Sequence, residues 1–123
     1  MPAENRAAAV EHYLAALAAH DWDALGACLT PDVERVGPYG DVYRGRDTYV
    51  AFLAETLRSL SGYELLVSRL IVSTDVVVAE LSETIDTPDG RRRTDEAIVF
   101  DLSPAGLIRH VGVFLRRAAP ARS

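Results

Sequence analysis

Two apolar rhythms divide the chain. Up to about residue 60 the apolar positions recur at helical spacing, and beyond it they alternate or run together as strands do. Over Glu4–Ala19, Val10, Tyr13, Leu14 and Leu17 form one stripe on an alanine-rich background, which predicts an amphipathic helix. Asp21 stands where an N-cap is needed for a short second helix carrying Trp22, Leu25, Cys28 and Leu29 on one side. Thr30-Pro31-Asp32 ends it, because proline has no amide to donate and disfavours helix in the residue before it. Val33–Val36 reads as a short strand and Gly37-Pro38-Tyr39-Gly40-Asp41 as a loop. Gly45-Arg46-Asp47 opens a third helix with Asp47 as its cap. Tyr49, Leu53, Leu57 and Leu60 share one face, Val50 and Phe52 widen it, and Gly62 terminates it.

From Tyr63 the period changes. Tyr63–Ser73, Val76–Ile85, Asp95–Leu102 and Leu107–Leu115 read as four antiparallel strands. Asp86-Thr87-Pro88-Asp89-Gly90 is a hairpin tip with a mechanism, since Pro presets φ and Gly takes the positive φ that the turn needs. Ser103-Pro104-Ala105-Gly106 makes the next turn. Helices first and strands last predict an α+β domain: a cone-shaped, strongly curved, mostly antiparallel sheet covered by three N-terminal helices. One domain spans 1–123, and Arg116–Ser123 is expected to fray. The open end of such a cone is the place to expect a small-molecule pocket.

Composition narrows the partners. With 123 residues, 49% of them hydrophobic and 25% charged, the chain can bury a single core. A formal net charge of −5 argues against nucleic acid and anionic membrane, which both want clustered positive charge. Arg91-Arg92-Arg93 lies among Asp86, Asp89, Asp95 and Glu96 and reads as a solvated hairpin tip. Cys28 has no second cysteine to pair with, and the charged N-terminus does not read as a signal peptide, so a cytoplasmic protein is expected. His12, His20 and His110 lack metal-ligand spacing, and neither metal nor cofactor is expected.

Several segments together carry a resemblance: Tyr13, then Asp21-Trp22-Asp23-Ala24-Leu25, Leu29-Thr30-Pro31-Asp32-Val33, Tyr43-Arg44-Gly45-Arg46-Asp47 and Gly106-Leu107-Ile108. In these the chain resembles the cystatin-like, nuclear transport factor 2-like superfamily, and within it the bacterial SnoaL-like branch. The resemblance implies the cone fold. It leaves the activity open, because the superfamily hosts isomerases, cyclases, epoxide hydrolases, dehydratases and non-catalytic modules. Against the ketosteroid isomerases, the oxyanion-hole tyrosine falls on Tyr13, the base aspartate on Gly37 and the second oxyanion donor near Ile98. Against the limonene-type epoxide hydrolases, the Arg and Asp fall near Glu80 and Ser82 and the third acid near Val113. The last-strand acid of SnoaL-like cyclases has no counterpart in Arg109–Arg117. None of the three machineries is present as written.

What remains are polar residues inside apolar strands. The register that the resemblance implies turns Val76, Val78, Glu80, Ser82 and Thr84 into the cone. There a partly desolvated Glu80 is either a general acid or base or the structural partner of Arg35. Glu96 shares a face with Ile98, Phe100 and Leu102, as a pocket carboxyl near the rim or as a solvated strand end. His110, a candidate catalytic base, is grouped with Ile108, Gly112 and Phe114, a face turned outward toward a dimer interface unless a bulge reverses it. Tyr13 and Arg35 would polarise a carbonyl, Tyr39 and Tyr43 flank the pocket mouth, and Trp22 is core or lining. The expected function is small-molecule binding. It is either a cofactor-independent cyclase, isomerase or dehydratase acting on an apolar, secondary-metabolite-like substrate, or a non-catalytic ligand-binding or dimerisation module. A homodimer is expected through an outer sheet face carrying Val77, Ala79, Leu81, Ile85, Ala97 and Val99.

Overall fold

The computed structural model describes residues 2–117, so the tail expectation falls, from residue 118 on, outside the described residues. Three helices precede and interrupt six strands: α1 (Ala3–Ala19), α2 (Trp22–Ala27), β1 (Leu29–Val36), β2 (Val42–Arg44), α3 (Arg46–Arg58), β3 (Glu64–Val72), β4 (Val76–Thr87), β5 (Gly90–Leu102) and β6 (Ile108–Leu115). The strands form one sheet in the order β2-β1-β6-β5-β4-β3. All neighbours are antiparallel except β1 and β6, which run parallel and bring the two halves of the chain together. Helix α1 lies over β3 and β4, α3 over β1 and β2, and α2 joins the two helices. Among the described residues no helix is long and apolar enough to cross a membrane.

The helical stripe behaves as its spacing dictates, with Val10, Tyr13, Leu14, Ala16 and Leu17 all buried. Asp21 caps α2, accepting from the Ala24 amide at 3.1 Å. Helix α3 is capped differently from the expectation: Gly45, at φ 91, is the N-cap, and Asp47 sits in the first turn. There a carboxylate favours the helix dipole without accepting a capping bond.

Strand β1 begins at Leu29, earlier than Val33, and includes Pro31. The ladder to β6 is irregular between Leu29 and Glu34, which is where a residue without an amide can be tolerated. The hairpin strands also run further than expected, pairing down to Thr87 and Gly90 around a tip of Pro88 and Asp89. The three arginines therefore belong to β5. Arg91 donates to Asp86 and Glu64, each at 2.7 Å, and to the Gly62 carbonyl at 2.7 Å, tying the hairpin tip to the end of α3.

One face assignment is overturned. Val77, Ala79 and Leu81 are core, at 0, 0 and 3% exposure, so this face of β4 points under the helices and the Glu80 face points away. The reason is polarity. Burying Val76, Val78, Glu80, Ser82 and Thr84 would set three consecutive polar side chains against apolar helices, whereas the other face carries only Glu83 inward. Val77, Ala79 and Leu81 are accordingly not an outer dimerisation patch. Ala97 and Val99, opposite Glu80 and Val78, do stand on the outer face.

Candidate functional site

Between the helices and the inner face of the sheet lies a cavity of about 210 Å³. Its walls come from every layer of the fold. Tyr13 and Leu17 enter from α1, and Phe52, Leu53, Thr56 and Leu57 from α3. Arg35 comes from β1, Glu83 from β4, Glu96 and Ile98 from β5, and Val111, Val113 and Leu115 from β6. Three acidic or basic groups in an otherwise apolar chamber are expensive to bury, so their pairing defines the site.

Glu83 and Glu96 are diagonal neighbours across the hairpin: Leu81 faces Glu96, and Glu83 faces Thr94. Both carboxyls point inward and hydrogen-bond to each other. Glu96 is only 9% exposed. Burial first, and then the hydrogen bond and charge of Glu83, push its pKa up to about 9, while Arg35 pulls the other way. At neutral pH it is a carboxylic acid, a hydrogen-bond donor in an apolar chamber. Glu83 accepts a second hydrogen bond from the Tyr63 hydroxyl. Burial, followed by the Glu83 charge, raises the Tyr63 pKa, so that phenol stays a donor.

A second polar group stands across the cavity. The hydroxyls of Tyr13 and Tyr49 are hydrogen-bonded to each other, and the Tyr13 ring packs edge-on against Phe100 with centroids 5.2 Å apart. Burial raises both phenols, Tyr49 to about 12, and the nearby Arg35 guanidinium partly offsets this. The Arg35 side chain is 12% exposed and lies over the Phe52 ring at 5.0 Å, a cation–π contact. Its nearest carboxylate is Asp41, at 3.8 Å, an ion pair too long for a hydrogen bond, and its Nη1 is buried with no acceptor. Asp41 reaches this place because residue 37 is glycine: a Cβ there would collide with the Asp41 carboxylate.

The sequence candidates divide accordingly. Tyr13, Arg35, Glu96 and Ile98 all line the cavity. Glu80 does not. It lies on the outer face, hydrogen-bonded to Arg69 on the neighbouring strand at 2.6 and 3.2 Å, and that pair rather than burial shifts its pKa, downward. The Glu80–Arg35 pair is thus absent, because the sheet lies between the two side chains. Ser82 is buried, but on the outer face, opposite Asp95. His110 is also on the outer face, 3.3 Å from Glu34 and 3.5 Å from Asp101. A bulge does occur in β6, but it falls before His110, at Arg109, and does not turn the ring inward. Tyr39 is 87% exposed at the loop tip, and Trp22 stacks on His20 beside a surface depression next to α3. Tyr43 supports the wall from behind, stacked on Phe52 with centroids 3.9 Å apart.

The sequence reading passed over Glu83, Tyr49 and Tyr63. Glu83 had a signal: it continues the Val77, Ala79, Leu81 alternation by one polar step. Tyr49 and Tyr63 had none beyond their place on a helix face and at a strand start. Among the described residues no cluster of His, Cys, Asp and Glu could hold a metal ion.

A family model for the SnoaL-like domain matches residues 10–111, from the middle of α1 to the middle of β6. The chain belongs to the SnoaL-like domain family. Similar solved structures agree on the fold of this SnoaL-like domain. A cystatin-like protein of unknown function from Methylobium petroleophilum has a TM-score of 0.82 at 19% identity, covering 99% of this chain and 81% of that one. An LEH-like epoxide hydrolase of M. tuberculosis has a TM-score of 0.79 at 21% identity, covering 93% and 84%. A protein provisionally assigned as a polyketide cyclase, from Xanthomonas campestris pv. campestris, has a TM-score of 0.75 at 23% identity, covering 91% and 90%. No curated protein matches the sequence. At such identities the likeness of a SnoaL-like domain to its neighbours extends to the fold alone, and chemistry must be argued from the cavity.

Proposed function

We propose that this SnoaL-like domain is a cofactor-independent enzyme that moves a proton on a small, largely apolar carbonyl compound, as an isomerase, cyclase or dehydratase does. The observation that carries the reading is the Glu83–Glu96 pair, in which a half-buried and a buried carboxyl share a hydrogen bond in the same apolar cavity as Arg35. Two neighbouring carboxyls, one of them held protonated by burial, supply an acid and a base side by side. Glu83, as carboxylate, takes a proton from the carbon next to the carbonyl. The C–H electron pair becomes a carbon–carbon double bond, and the carbonyl π pair moves onto oxygen. That oxyanion is met by the buried guanidinium of Arg35, with Tyr13 beside it, and such preorganised donors are the strongest means a site has to lower a barrier. Glu96 returns a proton to the substrate, and the hydrogen bond between the carboxyls restores the starting state.

The test is hydrogen exchange from heavy water into the carbon next to the carbonyl, for a panel of small enones and ketones. The wild-type protein is expected to catalyse it. Glu83→Gln should lose the base and Glu96→Gln the acid. A panel bound without exchange would make the domain a ligand-binding module.

We also propose a homodimer through the outer sheet face. Leu66, Ile71 and Phe114 stand there at 69, 44 and 62% exposure, flanking Val78, Ala97 and Val99. Large exposed side chains on one sheet face favour burial against a second copy.

A further inference from the structure

We infer that the substrate of this site is an uncharged carbonyl compound of single-ring size, and that carboxylates and fused polycyclic ketones are excluded. The inference rests on the proton-transfer reading above and adds the class of molecule. Size is the first constraint. A cavity of about 210 Å³ lies between α1, α3 and the sheet. An apolar cavity of roughly 150 Å³ is filled by one benzene, and pockets for drug-sized ligands begin at about 300 Å³. One six-membered ring with small substituents fits, and four fused rings do not.

Charge is the second constraint. The lining holds one cation, Arg35, against Glu83 and Glu96, and Asp41 already stands 3.8 Å from that cation. A ligand carboxylate would place another negative charge beside Glu83 in a medium that screens it poorly. A ligand ammonium would face the guanidinium of Arg35 in the same small space. A neutral carbonyl meets neither repulsion. Its oxygen supplies the acceptor that the buried Arg35 Nη1 lacks in the protein, while its ring contacts Ile98, Val111 and Val113.

The experiment is a titration followed by the methyl NMR signals of Ile98, Val111 and Val113 at pH 7. Four probes are used: 3-methylcyclohex-2-enone, cyclohex-1-ene-1-carboxylate, cyclohexylamine and a four-ring steroid enone. The single-ring enone is expected to shift all three signals. The carboxylate and the amine should bind at least about tenfold more weakly, and the steroid should leave these methyls unmoved. Glu83→Gln, which removes the like charge, should narrow the gap between enone and carboxylate. Binding of either ion as tightly as the enone, insertion of the steroid, or no response to the enone would each overturn the assignment. Deuterium incorporation into the bound enone is read separately. An enone that binds in the cavity without exchanging hydrogen removes the proposed reaction and leaves the substrate class standing.

Discussion

Glu83 receives the Tyr63 hydroxyl hydrogen on one side and faces the carboxyl of Glu96 on the other. Burial, with Glu83 beside it, raises the pKa of the Glu96 carboxyl, so Glu96 keeps its proton and Tyr63 and Glu96 both face Glu83 as donors.

Tyr63→Phe should move that proton. Losing one charge-assisted hydrogen bond is worth about 1.5–3 kcal/mol, a tenfold or larger change in how the proton divides between the two carboxyls. In carboxyl-carbon NMR at pH 7 the Glu96 signal should move toward the carboxylate position and the Glu83 signal toward the acid. Unchanged signals in a folded variant would mean that Tyr63 has no hold on the pair.

Glu96 also ties stability to pH. Its pKa is raised from 4.5 to about 9 in the folded protein. Between those values the unfolded chain has released the proton that the folded one keeps. The stabilisation is therefore complete below about pH 4.5 and is lost as pH rises toward 9. Glu96→Gln resembles the protonated form at every pH. Its melting temperature should match wild type near pH 4.5 and exceed it increasingly up to pH 9, in a series of thermal melts. Parallel curves would return Glu96 to an ordinary carboxylate.

Tyr13→Phe leaves the Tyr49 hydroxyl without its partner at a place with no solvent. A loss of about 1–3 kcal/mol is expected in chemical denaturation, together with weaker binding of the single-ring enone. Weaker binding at unchanged stability would show that Tyr49 finds another partner.

The outer face gives a different kind of test. Leu66→Arg and Phe114→Arg place charge on exposed positions and should leave the fold intact. Light scattering at micromolar concentration is expected to give a dimer for wild type and a monomer for both variants. A wild-type monomer ends the proposal.

Glu80 was the residue on which the pattern of the chain placed most weight, and Glu80→Gln should now leave hydrogen exchange unaltered. Its partner Arg69 lies on the outer side of the sheet, away from the cavity. A loss of exchange in this variant, without loss of the dimer, would reinstate it.

The helices, their buried stripes, the Asp21 cap, the hairpin tip and the four long strands were legible because each follows from local chemistry: apolar spacing, a capping oxygen, a proline followed by glycine. The inward face of β4 was not. A five-residue tip over Asp86–Gly90 sets Ala79 opposite Ala97 and Glu80 opposite Glu96, whereas the observed tip of Pro88 and Asp89 sets Ala79 opposite Ile98, and directly opposed residues share a face. That difference of one residue, together with the register that the resemblance implied, put Glu80 inside in place of Glu83. Tyr49 and Tyr63 were not legible as site residues. Their hydroxyls gain meaning only from partners 36 and 20 residues away, and no local pattern encodes such a pairing.

The parallel pairing of β1 with β6 has a bearing on when the protein becomes competent. Arg35 lies opposite Val111, so the strand that presents the guanidinium is held in the sheet by β6, the last strand among the described residues. The hairpin that carries both carboxyls closes locally and early, whereas this contact spans most of the chain and must form late. During synthesis the acids are assembled before the cation is seated opposite them. A chain halted before Ile108 would have the strands that carry the two carboxyls but not the one that keeps Arg35 opposite them.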